Sequence, residues 1–328
     1  MKQSLFESRH QADWNTFSAQ LEALERGKDK NQQQACTRFA ANYRQLCQHL
    51  ALAQARGYSS HLIDQLQQLA MRGHQQFYRH RSHLGAQLIR FLLGGFPRLV
   101  RAEWRSVCVA SLLFFGSLAV MGLLTYLYPE LIYSLIDPDQ VSEMERMYDP
   151  DARRLGRFSE RGSGEDWVMF GFYIMNNIGI AFQTFASGLL LGLGSLFFLL
   201  FNGLMIGSVA GHLTRIGYGE PFWSFVIGHG AFELTAIALA GAAGFKLGWA
   251  LLAPGRLPRG EALRLAAGKA IQLVAGVILF LLLAAFIEAF WSSTTFASPT
   301  VKYAVGSGLW ALVLSYLLLA GRRQHAPD

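Results

Sequence analysis

Between Trp167 and Leu213 lie 47 residues without one charged side chain. At about 1.5 Å per residue this run is too long for a single helix across a hydrocarbon core of roughly 30 Å, and barely long enough for two. The rest of the chain beyond Val107 is similar, with long apolar runs and few charges, and 52% of all residues are hydrophobic. Such segments commit the chain to an all-α, polytopic transmembrane helix bundle of five to six spans, one of them a candidate re-entrant segment. Residues 1–104 differ in kind. They are rich in Gln, Arg, Lys and His, and read as a cytoplasmic helical domain preceding a transmembrane domain over 105–328.

The surest span is 105–128, about 36 Å as a helix and almost free of charge. An acidic loop over 129–166 follows, with ten acidic residues against five arginines, Pro138 and Pro150, and room for one short helix around Val141 to Met147. The remaining spans read as 167–187, 195–213, 222–252, 271–291 and 303–319. Within the uncharged run two readings compete. Thr184 to Leu213 forms one long span, giving five crossings, or the chain turns tightly around Gly188, Gly192 and Gly194, giving six. Charge favours six. With the N-terminus cytoplasmic, six crossings place Arg256, Arg259, Arg264, Lys269, Arg322 and Arg323 inside, as the positive-inside rule asks, whereas five place them outside. About 7 net positive charges fall on residues 1–104 and the acidic loop is net negative by about 5, an asymmetry of membrane orientation rather than of nucleic-acid binding.

In the N-terminal region Trp14, Phe17, Leu21 and Leu24 recur at helical spacing, as do Leu62, Ile63, Leu66 and Leu69. Three or four amphipathic helices are expected, with breaks at Gly27 and Gly57. A further helix around Gly85 to Leu93 is interrupted by Gly94, Gly95 and Pro97. Arg98, Arg101 and Arg105 then stand where an interface with anionic lipid heads belongs. No signal peptide precedes the first span. The three cysteines, Cys36, Cys47 and Cys108, are an odd number without CxxC spacing and read as reduced thiols. His74, His80 and His83 do not share one helix face and read as solvated rather than metal-binding.

Polar side chains inside the apolar half mark the candidate site: Asn176, Asn177, Asn202, His229, Glu233 and Glu288. Ionisable groups in hydrocarbon are costly and face a bundle interior or a hydrated cavity. His229 and Glu233 lie one helical turn apart on one face, and Glu288, on another span, is placed to converge with them. A His and two Glu suit zinc by residue type, yet no HExxH or second His follows, so no metal, cofactor or catalytic residue is expected. A hydrogen-bonded network that fixes the bundle is the leading reading, with proton or ion handling the sharper alternative. Gly203, Gly207 and Gly211 recur every four residues, as do Gly244 and Gly248, with Gly241 three earlier; with Gly188 and Gly192 they read as helix-packing glycines, or as a homodimer face. There is no Walker motif and no GxSxG elbow, and the Gly192–Gly194 GxG lies in an apolar span.

The run from Asn176 and Asn177 through Ala181, Phe182, Gly188, Gly192 and Gly194 to Asn202, Gly203 and Gly207 resembles the stage II sporulation protein M family. The resemblance continues through His229, Gly230, Glu233, Gly241, Gly244, Gly248, the Pro254–Gly255 turn, Arg264, Glu288 and Phe290. Arg9, Trp14, Tyr43, Arg44, Phe96 and Pro97 look like its longer branch. The resemblance implies a multi-pass protein of the bacterial cytoplasmic (inner) membrane, a non-enzymatic scaffold for envelope or cell-wall remodelling machinery. Partners it implies are membrane lipids and a MoxR-type AAA+ ATPase or cell-wall hydrolases, with no nucleic acid. It transfers no catalytic residue. The alternative function is a transporter, channel or lipid-handling protein working through the His/Glu/Asn cluster.

Overall fold

The computed structural model describes residues 2–25, 32–77, 84–151, 163–294 and 296–322. Gly27, His80, His83, Arg323 and much of the acidic loop's second half lie outside them, as does the Cys36 side chain. Among the described residues the chain is helical without strands, and it divides into two compact units, Met1–Gly85 and Ala86–Asp328.

The first unit contains α1 (Gln3–Glu25), α2 (Gln32–Ala55) and α3 (Ser60–Phe77). The apolar stripe expected of α1 is its buried face: Trp14, Phe17 and Leu21, joined by Phe6, close on Phe39 and Leu46 of α2 and on Leu62 and Leu66 of α3. Gly57 ends α2 at φ 62°, a left-handed conformation that costs glycine little, and the Tyr58 N–H donates to the Ala53 carbonyl across the turn.

The second unit begins earlier than the boundary at 104 expected from composition. α4 (Leu84–Arg90) passes through a π turn, Phe91–Gly95, into α5 (Phe96–Ala102). Phe96 is fully buried and fills the place of a side chain at Gly276, so the segment leading to the first span is part of the bundle core. Then come α6 (Trp104–Leu127), α7 (Pro138–Met147), α8 (Ser163–Ala186), α9 (Leu193–Arg215), α10 (Gly219–Leu252), α11 (Arg259–Ile287), a second π turn (Glu288–Ser292) and α12 (Pro299–Leu319). Five of these are long and apolar enough to cross a bilayer: α6, α9, α10, α11 with its π turn, and α12. α8 matches them in length at 24 residues, and Asn176, Asn177 and Gln183 make it more polar.

Direction decides what α8 does. α6 and α9 lie side by side and parallel, since methyl groups on Gly203, Gly207 and Gly211 would strike the backbone at Phe114, Leu118 and Gly122 in turn. The chain leaves α6 at one end of the bundle and enters α9 at the other, and α8 makes the return. Its start packs Met169 and Tyr173 on Ala285 and Ala289, and its end brings Gly188 against Gly244. Six helices therefore run the height of the bundle. The single span over Thr184 to Leu213 does not form, because the chain turns at Ser187–Gly192, with Gly192 at φ 85°.

α10 is the central helix and touches the other five. Apart from Glu220, His229, Glu233 and Lys246 it is largely apolar, and its Gly241, Gly244 and Gly248 admit Leu199, Ser195 and the Gly192 backbone respectively. The two glycine seams expected from the sequence are thus filled within the chain.

The two ends differ. At one, Glu103 Oε1 pairs with Lys246 Nζ at 2.7 Å and faces Lys269 Nζ at 3.9 Å. Arg101 sends Nη1 to the Leu317 carbonyl at 2.6 Å and Nη2 to that of Ala320 at 2.7 Å, closing the C-terminus of α12. Arg98 Nε donates to the Gly94 carbonyl, and Arg105 lies over the Trp104 ring. Of the three arginines assigned to lipid heads, Arg101 is thus engaged as a helix cap. At the other end α7, predicted near Val141 to Met147, folds back on α9. Ile132, Ile136 and Val141 are buried with Met205 and Val209, and Glu145 Oε1 meets His212 Nε2 at 2.7 Å.

Candidate functional site

The site is built where α10 meets the second π turn. His229 lies ten residues into α10, about 15 Å from its first residue, and is 5% exposed. Gly228 beside it lets the helix approach the turn, since a methyl group there would already touch Ile287 at 3.4 Å and Trp291 at 3.6 Å. The turn begins at Glu288 and ends at Ser292, both buried. His229 Nδ1 is 3.0 Å from Ser292 Oγ, and His229 Nε2 is 3.9 Å from Glu233 Oε2, one turn along α10. One ligand atom each from His229, Glu233 and Glu288 lies within 4.8 Å of the others. Lys302, 3% exposed on the first turn of α12, donates from Nζ to the Ser292 carbonyl at 2.8 Å.

Of the six residues marked in the sequence, the structure gathers these three. Asn176 is exposed and donates from Nδ2 to Asn177 Oδ1 at 2.9 Å. Asn177 is buried one turn beyond Tyr173, on the α8 face that meets α11. Asn202 bonds its own helix, Nδ2 to the Phe198 carbonyl at 2.7 Å. Ser292 and Lys302 were not marked. Lys302 stands one residue before the span expected at 303–319. A serine four residues after an intramembrane glutamate carries little signal of its own. Glu103 and Lys246 were also missed, although two opposite charges at the margins of apolar runs are a usable cue.

A second polar set lies in the first unit. His10 Nδ1 is 3.6 Å from Asp13 Oδ2, and His10 and His49 stack with centroids 3.9 Å apart. Trp14 Nε1 donates to His49 Nδ1 at 3.1 Å, which puts the His49 proton on Nε2 and removes that nitrogen as a ligand. Burial pushes the His49 pKa below its ordinary value, His10 adds to the effect, and Asp13 opposes it.

An all-helical chain with five helices apolar enough to span, a sixth running their full height, and buried ionisable groups between them defines a multi-pass membrane protein. It belongs to the stage II sporulation protein M family, whose match covers residues 111–293 and includes all three clustered side chains. Residues 4–79 match a separate family described as a domain of unknown function, DUF8413, which coincides with the first unit. The chain is also 29% identical over 85 residues to an uncharacterized protein, MJ0793, of Methanocaldococcus jannaschii, covering 24% of this chain and 47% of that one. It thus spans about half the length of that relative. No solved structure matches.

Proposed function

We propose that this protein is a non-enzymatic scaffold of the bacterial cytoplasmic membrane, with the Met1–Gly85 unit in the cytoplasm as its docking module. The observation that carries the reading is that this unit closes its own aromatic core, from Phe6, Trp14, Phe17 and Phe39, apart from the bundle. A module complete in itself and tethered to a membrane is suited to recruiting a partner. The orientation is supported by Arg98, Arg101, Lys246, Lys269 and Arg322, which gather at the end with Glu103, opposite the acidic α7 segment. Partners in keeping with the family resemblance are a MoxR-type AAA+ ATPase and cell-wall hydrolases.

A photo-crosslinker at exposed Gln11 or Gln68 in the full-length protein, in cells, tests this. Specific adducts with one ATPase or envelope protein are expected, and none above the background of a lipid-facing site such as Leu112 overturns the reading. The alternative, passage of an ion or polar headgroup, is favoured by the buried His229, Glu233 and Glu288. It requires liposome flux that Glu233→Gln and Glu288→Gln abolish.

A further inference from the structure

The three-residue cluster has the makings of a metal centre, although the sequence lacks every familiar metal motif. The 3.9 Å between His229 Nε2 and Glu233 Oε2 is too long for a hydrogen bond. Two donors on one ion with bonds of about 2.0–2.2 Å stand roughly 3.3–3.6 Å apart at a tetrahedral angle, so a side-chain adjustment of a few tenths of an ångström would bring this pair onto one ion. Glu288 brings a third donor into the same space.

The surroundings orient these donors. When His229 Nδ1–H donates to Ser292 Oγ, the Nε2 lone pair faces the carboxylates, the tautomer a metal ligand needs. Ser292 is held in turn by Lys302, through its carbonyl. The helix leaves α geometry over Glu288–Ser292, and π turns recur at functional sites because they re-aim side chains that a regular helix would point elsewhere. Glu233 keeps 17% of its side chain exposed, so the set is not sealed on every side.

We infer that His229, Glu233 and Glu288 bind a divalent transition-metal ion of the zinc, manganese or iron(II) class, braced by Ser292 and Lys302. The mixed nitrogen and oxygen donors suit such ions better than calcium or magnesium. The inference goes beyond the scaffold reading and depends on neither partner recruitment nor flux. A metal there would pin α10 to the end of α11.

Full-length protein purified in detergent without a histidine tag, stripped with EDTA and reloaded with Zn2+ or Mn2+, is assayed by elemental mass spectrometry. The expectation is about one ion per chain, lost in His229→Gln and Glu288→Gln but retained in the His10→Gln, His49→Gln double variant. Ser292→Ala should weaken binding by roughly 10- to 100-fold, as removal of a ligand-orienting partner does. No bound metal, or metal that follows the His10 and His49 substitutions, overturns the assignment. If the intramembrane variants do not yield monodisperse protein, X-ray absorption at the metal edge of the wild type decides. One imidazole with carboxylate oxygens supports the site, and sulfur or several imidazoles overturns it.

Discussion

At the scale of single residues, histidines with the same side chain are set to different tasks by their neighbours. Burial lowers the His49 pKa and its Nδ1 accepts a hydrogen bond from Trp14, whereas His229 bonds Ser292 and stands near two glutamates. The His49 arrangement has a pH consequence. Its folded-state pKa is below the ordinary value of 6.5, so as pH falls through about 6.5 the unfolded chain takes up a proton that the folded unit refuses. The first unit therefore loses stability below that pH, and the loss levels off once pH is under the folded-state pKa. Hydrogen exchange of α1–α3 amides in the full-length protein, corrected for intrinsic rates, should show protection falling between about pH 7.5 and 5.5. His49→Gln should flatten that dependence, and an unchanged slope would show that another group governs it.

At the scale of elements, the bundle is held by close backbone approach, which the sequence announced through the four-residue glycine periodicity without revealing the partners. Gly207 lies against the Leu118 carbonyl of α6, while Gly308 of α12 faces open space. The two positions make a paired prediction. Gly207→Ala forces two backbones apart and should destabilise the protein by about 1–3 kcal/mol. Gly308→Ala meets nothing and should be neutral or stabilising by up to about 1 kcal/mol, from helix propensity. Thermal or denaturant unfolding in detergent separates them, and equal effects would refute the α6–α9 register. The π turn at Glu288–Ser292 had no such signal. α11 reads as an unbroken apolar helix, and the turn at its end meets His229 of α10 and Lys302 of α12, both at Ser292.

At the scale of the whole molecule, α5 and the end of α12 meet at one end of the bundle and α7 packs at the other, so six crossings are expected to leave residue 322 and the N-terminus on one side. A reporter fused after Arg322 should give the same sidedness as one fused at the N-terminus. A thiol introduced at exposed Ser142 of α7 should be labelled by a membrane-impermeant maleimide from the opposite side. A C-terminal reporter on the Ser142 side would mean that α8 does not cross, contrary to the parallel run of α6 and α9.

What the amino-acid order determined without help was class and placement: an all-helical multi-pass bundle, a separate basic helical region before it and an acidic segment after the first span, while the break at Gly188 to Gly194 stood as the better favoured of two readings until the turn at Ser187–Gly192 decided it. These are sums over neighbouring residues, and hydropathy, charge and glycine spacing are local quantities. Tertiary structure alone decided which distant residues meet. It drew His229, Glu233 and Glu288 together while leaving Asn202 to its own helix and Asn176 to its neighbour. It also moved residues 86–104 into the bundle through Phe96 and Gly276, and brought in Ser292 and Lys302. Those outcomes depend on the relative register and direction of helices far apart in the chain, and no window along the sequence contains that information.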